Sequence, residues 1–157
     1  MSGKFKEFSQ EVVNRKAFSL KEDSGLSGYA PVPHDLYRRL VPIAREYQKS
    51  NVDIVPLYTY LLSNVNGRRD NDRYMSAFTS VERIAADTGI GRNRIAKLSS
   101  VLEAIGLIKT VYDYTSNKRD KLYFPMYFSS LTDEQIRSNL DRLYGDKGRQ
   151  SPESELG

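Results

Sequence analysis

Arg92, Asn93, Arg94, Lys97 and Ser100 stand close together in the stretch Val81–Ser100, VERIAADTGIGRNRIAKLSS. All five carry hydrogen-bond donors, three carry positive charge, and no acid lies between Arg92 and Ser100. An arginine fork matches the O6 and N7 acceptors of guanine, and an asparagine amide matches N6 and N7 of adenine. Lysine and serine are better suited to phosphate oxygens. Such a set reads duplex DNA if one helix holds it on one outward face, with its N-terminal part in the major groove.

The flanking residues have the types that such a helix needs. Ile84 and Ala85 supply the apolar and small positions of a first helix, and Gly89 stands where the turn calls for a left-handed residue. Ile90 plugs that turn. Ile95, Leu98, Leu102 and Ile105 recur at helical spacing as the inner face of a second helix, Arg92 to Ile105, with Gly106 as its stop. Thr79 and Glu82 are spaced as a capping box for the first helix. Thr79 and Ser80 at that helix start are candidate phosphate contacts, although capping explains them equally well. Next come two stretches rich in β-branched and aromatic residues, Leu107–Tyr114 and Lys121–Phe128, which predict a hairpin. Its tip, Thr115 to Asp120, is a basic wing: Lys118, Arg119 and Lys121 are placed to meet backbone or minor groove, while Asn117 suits the bend itself. Tyr74–Phe78 is the expected partner strand. The fold class is therefore α+β: a mostly helical winged helix-turn-helix with a small antiparallel sheet.

Around this unit, residues 1–30 read as a partly ordered N-terminal arm. Phe5, Phe8, Val12 and Val13 lie at near-helical spacing with basic residues between them, and Ser24 to Gly28 form a flexible break. The arm either packs its phenylalanines on the body or a second subunit, or reaches along DNA. The winged domain occupies 31–128. Pro31-Val32-Pro33 leads into the stripe Leu36, Leu40, Ile43, Ala44 and Tyr47, and Pro42 predicts two short helices or a kink there. Asn51 or Asp53 is expected to cap the next helix, whose apolar face is Ile54, Leu57, Tyr58, Leu61, Leu62 and Val65. Asn66 to Arg73 is a polar loop. Its Asp70-x-Asp72 pair lacks the companions of a calcium loop and is crowded by arginine. Residues 129–145 form a C-terminal helix capped by Thr132 and ending at Gly145. Residues 146–157 read as a polar flexible tail or the start of a linker.

Composition narrows the chemistry. The chain has 157 residues, 39% of them hydrophobic, and no cysteine. That supports one domain with a core and rules out disulfide and thiolate-metal chemistry. It suits a reducing, cytoplasmic setting. One histidine, His34, cannot build a metal cluster, and no apolar run is long enough to span a membrane. No phosphate-binding loop, nucleophile elbow or zinc-protease motif is present, so the sequence predicts no enzyme, no cofactor, no metal and no small-molecule substrate. The net charge of +4 is unevenly spread: Thr79–Phe128 has eight basic and five acidic residues, whereas Ser129–Gly157 has four and six. Tyr112, Tyr114, Tyr123 and Tyr127 raise the idea of base stacking on the hairpin. They lack any accompanying RNA-binding pattern and read as ordinary strand residues.

From Tyr29 to Phe124 the chain resembles the N-terminal winged-helix domain of plasmid replication initiators, a group related to phage replication proteins and the DnaD-like domain. The likeness is carried in order by Tyr29-Ala30-Pro31-Val32-Pro33, Leu57-Tyr58-Thr59-Tyr60-Leu61-Leu62, Phe78 to Ala85, Leu102-Glu103-Ala104-Ile105-Gly106-Leu107-Ile108 and Leu122-Tyr123-Phe124. The resemblance implies binding to repeated duplex sites as a homodimer or larger assembly. It puts the recognition helix on Arg92, Asn93, Arg94 and Lys97 and the wing on Lys118 and Arg119. The expected role is sequence-specific double-stranded DNA binding in replication initiation or transcriptional control of a plasmid, phage or other mobile element. The alternatives are a protein-interaction module, an accessory DNA-binding factor without regulatory activity of its own, or RNA or single-strand binding through the hairpin tyrosines.

Overall fold

The computed structural model describes residues 3–21, 31–65, 75–113 and 120–145. The chain divides into two units, residues 1–31 and 32–157. In the first, α1 (Gly3–Ser19) is a helix on whose surface Phe5, Phe8, Val12 and Val13 are exposed. The spacing of these residues is thus realised as a helix; Ser24–Gly28 lies outside the described residues.

The second unit begins at the proline-rich lead. Leu36–Leu40 wind as a single π turn that runs directly into α2 (Val41–Tyr47), with Pro42 in its first turn. Proline lacks an N–H and cannot serve as a helix-interior donor, so the winding changes where it stands and the apolar stripe stays on one face. Leu36, Leu40, Ile43, Ala44 and Tyr47 are all buried. A 3-10 turn, Lys49–Asp53, leads into α3 (Ile54–Ser63). Of the two expected caps, only Asp53 takes the position, and without the side-chain bond. Asn51 is instead buried and donates to the Ala44 carbonyl (2.8 Å) and to the Tyr144 hydroxyl (2.9 Å).

β1 is only Ala77–Phe78, shorter than expected, and Tyr74 lies outside the described residues. α4 (Val81–Thr88) and α5 (Arg92–Ala104) follow, then β2 (Ile108–Asp113), β3 (Asp120–Pro125) and α6 (Asp133–Tyr144). The three strands form an antiparallel sheet in the order β1-β3-β2, with Val111 opposite Leu122 and Ala77 opposite Tyr123. β3 stops at Pro125, earlier than the aromatic run to Phe128 suggested. Met126 still donates in register to the Leu107 carbonyl (2.7 Å), but the return bond is missing: the Leu107 N–H goes to the Leu102 carbonyl (3.0 Å) and the Met126 carbonyl accepts from Tyr58. The result is a mostly helical α+β arrangement.

α5 is the pivot. It packs on α3, α4, α6 and β2, and Ile95, Leu98, Leu102 and Ile105 are buried as their spacing predicted. α6 closes the opposite side through Ile136 and Leu140, starting from a complete Thr132/Gln135 capping box. Polar ties hold α6 in place. Arg39 bridges Asp35, Asp133 and the Leu131 carbonyl, Arg137 pairs with Glu46 (3.0 Å), and Tyr47 donates to Asp141 (2.7 Å). No helix among the described residues is long and apolar enough to cross a membrane.

Candidate nucleic-acid interface

The turn between α4 and α5 is built by local chemistry. Gly89 adopts φ +77°, and its N–H closes on the Ala85 carbonyl (3.0 Å). Thr88 stiffens the bend in a way its sequence position did not announce. Its hydroxyl donates to the Ile84 carbonyl (2.6 Å) and accepts from the Ile90 N–H (3.1 Å). Ile90 is buried beneath the turn, as expected of a plug.

The start of α4 differs from the sequence expectation. Ser80, not Thr79, is the N-cap, its side chain accepting from the Arg83 N–H at 3.1 Å. The reason is register: with the cap at Ser80, Glu82 falls in the first turn instead of three residues beyond the cap. The Thr79 hydroxyl is buried, which takes it off the accessible edge, and the Ser80 hydroxyl is committed to its helix. Glu82 is thereby released to reach across the turn to Arg92 (2.7 Å).

On α5 the face divides cleanly. Arg92, Asn93, Arg94 and Lys97 are exposed, while Ile95 and Leu98 are buried. The N-cap is Gly91, without a side chain to accept from the first N–H groups, so that end of the helix dipole faces outward unquenched. The Asn93 side chain makes no hydrogen bond to any described residue. Arg94 reaches back to the 3-10 turn, where its Nη2 meets Asp53 Oδ2 at 2.6 Å and the Ser50 carbonyl at 3.3 Å. Lys97 lies over the ring of Tyr144 on α6, 5.2 Å from its centre. Ser100 does not join this group. It is half-buried one turn further on and donates to the Ala96 carbonyl (3.1 Å).

The edge is therefore free of acid only within its own helix. Glu82 and Asp53 arrive from neighbouring elements, at sequence distances no local pattern reveals. Both pairs are more than a third exposed, with Arg92 and Glu82 at 65% and 61% and Arg94 and Asp53 at 44% and 38% side-chain exposure. Ion pairs this wet are worth about 0–1 kcal/mol, and they leave further donors of both guanidiniums open to solvent. Behind them, α4 is anchored to α3 by Asp87, which accepts from the Tyr60 hydroxyl (2.6 Å) and from Arg83 (3.2 Å). The Tyr60 hydrogen bond, helped by the Arg83 charge, holds the Asp87 carboxyl below the usual carboxylate range, and burial pushes the Tyr60 hydroxyl up.

Of the wing residues, Lys118 and Arg119 lie outside the described residues, as does Tyr114. Lys121 is on β3 opposite Tyr112, its ammonium 5.1 Å from the centre of the Tyr123 ring. The tyrosines do not form one stacking platform: Tyr123 is buried in the core, whereas Tyr112 is exposed. The polar loop with Asp70 and Asp72 and the tail 146–157 also fall outside the described residues. Comparison of the chain with protein-family models, with curated proteins and with solved structures finds no match.

Proposed function

We propose that this protein is a winged helix-turn-helix that binds double-stranded DNA sequence-specifically, with the N-terminal half of α5 in the major groove. The observation that carries the reading is the division of α5: Arg92, Asn93, Arg94 and Lys97 outward, Ile95 and Leu98 locked in the core. A rigid scaffold thus offers donors of the types that read guanine and adenine, at the helix end whose dipole favours phosphate. The wing residues Lys118 and Arg119 supply the second, backbone or minor-groove contact, and the chain acts as a homodimer on half-sites about one helical turn apart or a multiple of it. Replication initiation or transcriptional control of a mobile element is the role to which the initiator resemblance points. The reading assigns no catalytic step.

Selection of bound sites from a random duplex library tests this directly. The parent protein is expected to recover a defined motif. Asn93→Ala should relax one base position, at a cost on the order of 1–3 kcal/mol. Lys118→Ala should weaken all sequences alike and reduce the salt slope by about one. Failure to bind any duplex at low salt overturns the proposal. A second reading, a protein-interaction module, draws on the exposed Phe5, Phe8 and Val12 of α1. It would be favoured by self-association that is lost on removing residues 1–30 in a protein that ignores DNA.

A further inference from the structure

The pairing of Arg94 with Asp53 bears on how that interface would choose its bases. We infer that Asp53 is a positioning residue that fixes the guanidinium of Arg94 for bidentate recognition of a guanine, an inference resting on the DNA-binding reading above. Arg94 sits on the first turn of α5, where a long side chain on an exposed helix would ordinarily sample several rotamers. Here its Nη2 is held at 2.6 Å by Asp53 Oδ2, and the Ser50 carbonyl accepts from the same nitrogen at 3.3 Å.

Both anchors belong to the 3-10 turn Lys49–Asp53 and α3's N-terminus, which pack on α5 and α3 and so move with the body. Asp53 makes no cap bond to its own helix, so the carboxylate is free for this task.

The donor count permits the pair and the base together. A guanidinium has five N–H groups; the bond to Ser50 uses one on Nη2, and Asp53 meets the same nitrogen as an ion pair, leaving Nε and Nη1 unspent. A bidentate guanine contact needs two parallel N–H groups, one of them from Nη2. Giving up the long bond to Ser50 frees that hydrogen while the ion pair with Asp53 stays. A fork already oriented loses less conformational freedom when it meets O6 and N7, so the gain falls on guanine and not on the other bases. The same carboxylate also repels phosphates, which lowers binding to arbitrary sequence. Asp53 would thus raise discrimination from both sides.

The test compares site selection and titrations at fixed salt for the parent, Arg94→Ala, Asp53→Ala and Asp53→Asn, each first checked for an unchanged unfolding midpoint. Arg94→Ala identifies the base pair that Arg94 reads, expected to be a guanine. Asp53→Ala should then lose on the order of tenfold in preference at that one base pair. It should leave the Asn93-dependent position alone and bind random duplex more tightly than the parent. Asp53→Asn, which can still accept from Arg94 without the charge, should fall between the two. If Asp53→Ala strengthens all sequences equally and keeps the guanine preference, Asp53 only repels phosphate and the inference is overturned. If Arg94→Ala changes no base preference while the parent still selects a motif, the inference falls and the DNA-binding reading stands. If the parent selects no motif at all, both fall together.

Discussion

The two ends of α5 face opposite chemical circumstances. At the C-terminal end the protein satisfies the helix itself. Ser129 donates to the Ile105 carbonyl (2.6 Å), Asn139 to Ala104 (3.0 Å), and the N–H groups of Gly106 and Leu107 to Glu103 and Leu102 (3.0 Å each). At the N-terminal end, Gly91 brings no capping side chain, its carbonyl accepts the Arg94 N–H (2.9 Å), and the nearby arginines pair with exposed acids. A helix leaves unpaired groups at both termini, so the fold had the same problem to solve twice. It closed one end with its own side chains and left the other without a capping side chain. That contrast, more than the charge count, is what supports the proposal that the open end is the place of contact.

The glycines that flank α5 put this comparison under the largest strain. Both have positive φ, +77° at Gly89 and +85° at Gly106, so any side chain pays the left-handed penalty at either. Only Gly106 is also enclosed: a Cβ there would lie 2.6 Å from Ser129 Oγ and 3.0 Å from Leu131 Cδ1, while at Gly89 nothing stands within 4 Å. Gly106→Ala is expected to cost about 3 kcal/mol and Gly89→Ala about 1 kcal/mol, read by urea unfolding. Equal losses would mean that the two ends are packed alike and the contrast is illusory.

The closed end should also carry a signature in alkali. Tyr58 of α3 is buried and donates to the Met126 carbonyl, and the Met126 N–H in turn bonds Leu107 just past the end of α5. Burial, with the neighbouring Tyr127 adding to it, pushes the Tyr58 hydroxyl from 10.0 up to about 12. Between those values the unfolded chain has lost the proton and the folded chain still holds it, so unfolding releases a proton and stability falls as pH rises. The contribution is intact below pH 10 and gone above about 12, amounting to about 2–3 kcal/mol. Tyr58→Phe should start lower, by about 1 kcal/mol for the orphaned carbonyl, and lack that part of the decline. Parallel pH curves for parent and variant would show that Tyr58 ionises as if free.

The same asymmetry explains what the sequence made legible. The buried side of α5 is a periodic pattern, so Ile95, Leu98, Leu102 and Ile105 could be read directly, as could Gly89 and the Thr132 cap. Those features depend on neighbours a few residues away. Asp53, Glu82 and Tyr144 could not be read as partners of Arg94, Arg92 and Lys97, because those pairs join separate elements and follow no spacing rule. The capping error shows the mechanism in small. Thr79 and Ser80 are both good N-caps, and only the tertiary position of β1 and α4 decides between them; once Ser80 takes the role, Glu82 acquires a different job. The length of β3 failed for a related reason. Met126 to Phe128 have strand-like residue types, but the Leu102 carbonyl claims the Leu107 N–H and Tyr58 claims the Met126 carbonyl, so the last rung is left half-made and the ladder ends.

At the open end the sharpest expectation concerns binding and not stability. Glu82→Gln keeps the shape of the side chain and removes the charge beside Arg92, whose guanidinium is 2.7 Å away and well exposed. The pair is worth so little in water that the unfolding free energy should change by less than about 0.5 kcal/mol. Duplex affinity at low salt should nevertheless rise a few-fold, roughly what one added unit of local positive charge supplies, and the gain should shrink as salt screens it. A variant that unfolds more than 1 kcal/mol more easily would mean that Glu82 and Arg92 are a structural tie like those around α6. A variant with parental affinity at every salt concentration would mean that phosphates never approach this end of α5. Either result would remove the distinction between the two termini, since the N-terminal arginines would then be serving the fold and not a ligand.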